Sequence, residues 1–202
     1  MTNKLEFFYD CSSPWTYLAF EGIEPLSKRQ NYQLIWKPIL VGGIFNLTNP
    51  SVYESRSNPV KEKLAYSQKD MKDWSKVRGV EFNWPDIFPI NSVKAMRGSF
   101  FAINEGLVVE YSREVFRSYW TDGKDISNTD VLSEIVESLG MDSVKFLEFI
   151  DEDKTKEALK KNTQELIERG GFGSPTIYLN ETDMYFGNDR LHLIEELIKA
   201  NN

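Results

Sequence analysis

Hydrophobic and polar positions divide the chain into two strand-bearing ends and a long helical middle. Lys4 to Tyr9 (KLEFFY) is a short aromatic run of the kind a buried strand shows. Ser13-Pro14 then predicts a helix start, because Ser is a favoured N-cap and Pro suits the first helical turn. Trp15, Leu18, Ala19, Gly22, Ile23 and Leu26 follow at helical spacing. Tyr32 to Trp36 reads as a second strand, ended by Pro38, so the chain opens β–α–β with Ser13 at the first strand-to-helix junction. Gly42-Gly43 and Thr48-Asn49-Pro50 are loop signals. Pro59 to Arg78 predicts a Lys-rich helix stopped by Gly79, and Val80 to Pro89 a loop. Helices are expected over Asn91–Glu105, Val109–Trp120, Thr129 to near Gly140, from Asp142, and over Asp153–Glu168. Thr176–Leu179 and Met184–Phe186 flank a polar turn and predict a hairpin. Gly187-Asn188-Asp189 opens a last helix with Leu191, Ile194 and Leu197 on one face.

The order β–α–β, helical block, β–β–α is that of the thioredoxin fold. The expected class is α/β, a thioredoxin-like fold with a large all-helical insertion. Residues 1–40 and 171–202 form the discontinuous thioredoxin-like part, and 41–170 form the inserted helical part.

Composition narrows the function classes. The chain has 202 residues and a formal net charge of −7, a poor match for nucleic acid, whose binding draws on Lys and Arg. The hydrophobic fraction of 41% supports a real core. No run has the length of a membrane-spanning helix and no targeting segment is visible, so neither membrane nor export is expected and the cytoplasm is the default location. A single Cys, Cys11, excludes an intramolecular disulfide, and with His192 as the single His it leaves too few ligands for structural zinc.

Three features carry candidate chemistry: Ser13-Pro14-Trp15-Thr16 at a helix start, Gly173-Ser174-Pro175-Thr176 at a late strand, and Gly187-Asn188-Asp189-Arg190 at the last helix. Together with Phe8 to Ala19, Phe88-Pro89-Ile90-Asn91-Ser92, Phe116-Arg117-Ser118-Tyr119-Trp120 and Gly171 to Thr176, they occur in an order that spans nearly the whole chain. The set resembles the DsbA-like branch of the thioredoxin superfamily. Within it, the chain is similar to 2-hydroxychromene-2-carboxylate isomerases and kappa-class glutathione transferases.

In redox members of that branch the first junction carries Cys-Pro-x-Cys. Here the matching residues are Ser13, Pro14, Trp15 and Thr16, so dithiol exchange through that motif is unavailable. Cys11 reads as a buried structural thiol. Read from residues alone, Ser13 is an N-cap; the resemblance implies that its hydroxyl stabilises the thiolate of glutathione, the implied cofactor. The resemblance further implies that Ser174 meets the cysteinyl part of glutathione, that Asn188 and Asp189 meet the γ-glutamyl end, and that Asn49 and Lys63 meet the rest, with Lys61 competing for the role of Lys63. Trp15, Phe45, Trp84 and Phe88 are candidate walls for a small aromatic substrate. The implied activity is glutathione-dependent cis–trans isomerisation of 2-hydroxychromene-2-carboxylate or a similar aromatic 2-oxo acid, in a homodimer. The alternatives are a kappa-like glutathione transferase and a non-redox protein that binds thiols or peptides.

Overall fold

A computed structural model describes residues 3–200. Among them, four strands form one sheet in the order β2-β1-β3-β4. The strands are β1 (Lys4–Tyr9), β2 (Gln33–Pro38), β3 (Thr176–Leu179) and β4 (Asp183–Phe186). β1 pairs parallel to β2 and antiparallel to β3, and β3 pairs antiparallel to β4. The helices are α1 (Pro14–Gln30), α2 (Val41–Thr48), α3 (Ser51–Ser57), α4 (Lys61–Arg78), α5 (Val93–Asn104), α6 (Val108–Trp120), α7 (Thr129–Ser138), α8 (Ser143–Asp151), α9 (Asp153–Glu168) and α10 (Arg190–Ala200). This is the expected thioredoxin-like fold with its helical insertion. None of these helices is long and apolar enough to cross a membrane.

The central strand is buried on both faces, which is why its sequence reads as a nearly continuous apolar run. Leu5, Phe7 and Tyr9 join Ile177 and Leu179 in a core that continues through α1 and α10 into the helical block, with Phe101, Tyr111, Phe116, Trp120 and Phe146. On the opposite face Phe8 and Tyr178 pack against Ile39, Ile44 and Leu166. Glu6, the one acidic residue of β1, is buried on that second face. Its carboxylate lies 2.6 Å from Arg169, whose guanidinium in turn sits 3.8 Å above the Tyr178 ring. Pairing of this kind makes a buried carboxylate tolerable.

Several expectations need correction. Tyr32 lies outside β2, which runs on to Pro38. Pro38 ends an edge strand, where its missing N–H costs no ladder bond. α4 starts at Lys61 rather than Pro59. On α10 the fully buried stripe is Leu191, Ile194 and Ile198, with Leu197 only half-buried. The largest difference lies at Gly42-Gly43, read as a loop and found inside α2. Leu40, its N-cap, offers no side-chain acceptor. Instead the first donors are met from elsewhere in the fold: Val41 N–H donates to Asp10 Oδ2 at 2.8 Å, and Leu40 N–H to Thr163 Oγ1 at 3.0 Å. Asn49-Pro50, read as a loop signal, does separate α2 from α3, which begins just after Pro50, whose φ of −64° is already helical.

The block's tightest approach is at Gly98 on α5. A Cβ there would lie 2.6 Å from Phe146 Cε2 and would also meet the Tyr111 hydroxyl. Gly98→Ala should therefore lower the unfolding free energy by about 1–3 kcal/mol, the usual cost of overpacking, despite the better helix propensity of Ala. Urea denaturation of the two proteins measures it.

Candidate functional site

The register of β1 against β3, with Phe8 opposite Thr176, brings the end of β1 to the start of β3. The two junctions meet there. Ser13 sits at φ −102° and ψ 121° as the N-cap of α1. Its Oγ accepts from Thr16 N–H at 3.3 Å and donates to the Ser174 carbonyl at 3.0 Å. Ser174 Oγ accepts from Asp10 N–H at 3.1 Å and shares a 2.7 Å hydrogen bond with Thr16 Oγ1. The Ser174–Pro175 peptide is cis, as is Phe88–Pro89. Ser13 is 9% exposed, so its hydroxyl is near the surface yet largely screened from water.

The surrounding loop is held from behind. Asp10 is buried, and its Oδ1 accepts from Ser12 N–H at 2.9 Å while its Oδ2 holds the start of α2. Burial pushes the Asp10 carboxyl above the usual range, against the opposing pull of those two N–H donors. Cys11 is 1% exposed. Its carbonyl accepts from Trp120 Nε1 at 2.8 Å. Burial, and secondarily the charge of Asp10, pushes its thiol well up, in keeping with an inert structural role.

The start of α10 forms the second part. Gly187 has φ +110°, which favours glycine, and its N–H donates to the Pro175 carbonyl at 3.2 Å. Asn188 is 2% exposed. Its Oδ1 accepts from Arg78 Nε at 3.0 Å and Nη2 at 2.8 Å, while its Nδ2 is buried without a partner. Asp189 is exposed and lies 3.0 Å from Arg190. Asn188, Asp189, Trp15 and Pro175 line an open cavity of about 560 Å³, together with Tyr66, Asp70 and Trp74 of α4. A second cavity of about 520 Å³, between α2 and α9, is lined by none of the expected site residues.

The fold thus joins Ser13 to Ser174 directly and sets Asn188 and Asp189 around the same proline. Asn49 is farther out on the α2 arm, where its Nδ2 donates to the Phe172 carbonyl at 3.5 Å, beside the late loop. Lys63 and Lys61 are exposed on the first turns of α4, and among the described residues no hydrogen bond or ion pair ties either of them to this cluster. His192 stacks on Trp74, with ring centroids 5.9 Å apart, and is not a base for Ser13. Sequence reasoning missed Asp10 and Arg78. Each looks ordinary locally, Arg78 being a basic residue in the last turn of a helix. Their roles come from partners distant in the chain.

A family model described as "DSBA-like thioredoxin domain" matches residues 4–199. The chain is 28% identical over 195 residues to 2-hydroxychromene-2-carboxylate isomerase of Pseudomonas putida, covering 95% of this chain and 92% of that one. It is 27% identical over 216 residues to glutathione S-transferase kappa 1 of Homo sapiens, covering 98% and 92%. Among solved structures, 2-hydroxychromene-2-carboxylate isomerase superposes with a TM-score of 0.81 at 25% identity, over 97% of this chain and 94% of the other. The cytosolic disulfide reductase DsbM of Pseudomonas aeruginosa with GSH has a TM-score of 0.68 at 15% identity, over 98% of each chain, a likeness of fold.

Two measurements check the electrostatics of this loop. The raised Asp10 carboxyl favours its protonated form in the folded state. Its stabilising contribution is therefore full below the unfolded value of about 3.9 and is lost as pH rises through the folded value. The unfolding free energy of the native protein minus that of Asp10→Asn should fall across that window, because Asn does not ionise; a difference flat from pH 4 to 7 would contradict it. Cys11 should resist iodoacetamide in native protein at pH 8 and react at once in denaturant.

Proposed function

The chain belongs to the DSBA-like thioredoxin family, and we propose that it uses this fold as a glutathione-dependent cis–trans isomerase of an aromatic 2-oxo acid of the 2-hydroxychromene-2-carboxylate type. The observation that carries the reading is the Ser13 hydroxyl at the helix start, hydrogen-bonded to the Ser174 carbonyl where redox relatives place a dithiol. Relatives along the whole chain bear the names of such isomerases and of kappa-class glutathione transferases.

The residues fit glutathione. In the free protein the Ser13 proton goes to the Ser174 carbonyl, a neutral acceptor. With a thiolate at the helix start, the same O–H turns to the sulfur, and the carbonyl becomes free for the cysteinyl N–H of the tripeptide. No buried polar group is left unpaired by that exchange. A free thiol has a pKa of about 8.5, so half-ionising it at pH 7 takes about 2 kcal/mol. A hydrogen bond to a charged group supplies about 1.5–3 kcal/mol and a helix N-terminus about 0.3–1 kcal/mol, which suffices without a cationic side chain. At the other end, the unpartnered Nδ2 of Asn188 and the start of α10 offer donors to the γ-glutamyl carboxylate, and Asp189 meets its ammonium. Lys63, or Lys61 beside it, reaches the glycyl carboxylate, with Asn49 nearby. Glutathione, when bound, would supply a thiolate nucleophile for reversible addition to the conjugated double bond of the acid, with the 2-oxo group as the electron sink. The protein's part is to hold the sulfur ionised, to fix the tripeptide, and to keep the acid against aromatic walls. The same reading makes the protein a cytoplasmic homodimer.

The test is product analysis with trans-o-hydroxybenzylidenepyruvate and glutathione. Interconversion with the chromene and an unchanged glutathione pool supports isomerisation. Consumption of glutathione by an electrophile, without interconversion, would assign the site to transfer instead. Ser13→Ala should cut turnover about 10- to 100-fold and raise the pKa of the bound thiol by about 1–2 units, read from thiolate absorbance. Absence of glutathione binding at millimolar concentration would remove the reading.

A further inference from the structure

Arg56 on α3 is a cation beside this site. Its guanidinium carbon lies 5.4 Å from the Phe45 ring centroid and 5.2 Å from that of Phe88, so the side chain bridges the α2–α3 arm and the loop before α5. Among the described residues no carboxylate pairs with it, although the chain carries more acidic than basic groups and most of its other arginines are paired. The neighbouring rings withdraw the guanidinium from water enough to lower its pKa, although the residue as a whole is exposed. The place is tied to the chemistry on both sides. Phe45 lies 3.6 Å from where a Cβ on Gly173 would stand, one residue before Ser174. Phe88 packs on Trp84 and on Trp120, whose indole N–H holds the Cys11 carbonyl two residues before Ser13. Trp84, edge-to-face with the Phe88 ring on which the guanidinium rests, is 50% exposed.

A guanidinium resting on ring faces keeps its in-plane N–H donors for a carboxylate, which it can bind with two parallel bonds. We propose that Arg56 is the binding residue for the carboxylate of the aromatic acid, whose ring lies on the Trp84–Phe88 surface. The inference rests on the isomerase reading and adds the determinant by which an acid is chosen over a neutral electrophile. The glycyl carboxylate of glutathione has the same chemistry, and the aromatic surroundings assign Arg56 to the flat substrate instead.

Calorimetric titration separates the two sources. trans-o-Hydroxybenzylidenepyruvate, its methyl ester and glutathione are each titrated into wild type, Arg56→Gln and Arg56→Lys. Arg56→Gln should weaken the acid about 10- to 100-fold, leave the ester within twofold of wild type, and leave glutathione unchanged. Arg56→Lys should recover part of the acid binding, since it keeps the charge and loses the fork. Equal affinity of wild type and Arg56→Gln for the acid would overturn the proposal, as would loss of glutathione affinity in its place. The variants should fold, because Arg56 is exposed and forms no ion pair, and circular dichroism checks this. If the acid binds wild type through Arg56 while glutathione does not bind, the isomerase reading falls and the acid site stands.

Discussion

One hydrogen bond across 161 positions of chain, from the Ser13 hydroxyl to the Ser174 carbonyl, makes a single site of two distant loops. It depends on the sheet. β1 and β3 are neighbours with Phe8 opposite Thr176, so the residues after one strand face the residues before the other. A register shift of one residue would turn the core-facing side chains of β3 to the wrong face as well as part these loops. The apolar packing of Phe7 and Ile177 on one face, and of Phe8 and Tyr178 on the other, is thus what holds a polar site at the strand ends.

In the proposed reading the site works by exchange rather than by added charge. The Ser13 hydroxyl has an internal acceptor for its proton, the Ser174 carbonyl. The internal bond keeps Ser13 oriented and Ser174 satisfied, so the free protein pays little for the arrangement. The donors around Asp10 do the same for the backbone. A buried carboxylate collects N–H groups from Ser12 and Val41, and so fixes the first junction to the start of α2. The isolation of Cys11 beneath this loop separates the protein from thiol chemistry of its own.

The helical block takes part in the site as well as covering the sheet. Arg78, at the end of α4, grips the Asn188 amide oxygen with two N–H groups and so settles which end of that amide is free to donate. The α2–α3 arm carries Asn49 to the late loop and Arg56 to the rings of Phe45 and Phe88. Elements that the sequence shows only as polar or irregular become parts of the site through such long-range contacts.

Local sequence determined the elements whose signals are self-contained. Ser13-Pro14 starts α1, Gly79 in a left-handed conformation ends α4, Asp142 caps α8, and the hairpin of β3 and β4 follows from two short apolar runs around a polar turn. The motif order pointed to the fold; Ser13, Ser174, Asn188 and Asp189 sit at strand and helix ends visible in the pattern, but their roles as site residues came from the family resemblance. Tertiary structure alone decided the helical state of Gly42-Gly43 in α2, the positions of Asp10 and Arg78, and the lack, among the described residues, of a carboxylate partner for Arg56. In those places a donor, an acceptor or a charge finds its partner, or lacks one, only when segments far apart in the chain are brought together. Periodicity records which face of an element is buried; it carries no information about which polar group will lie opposite.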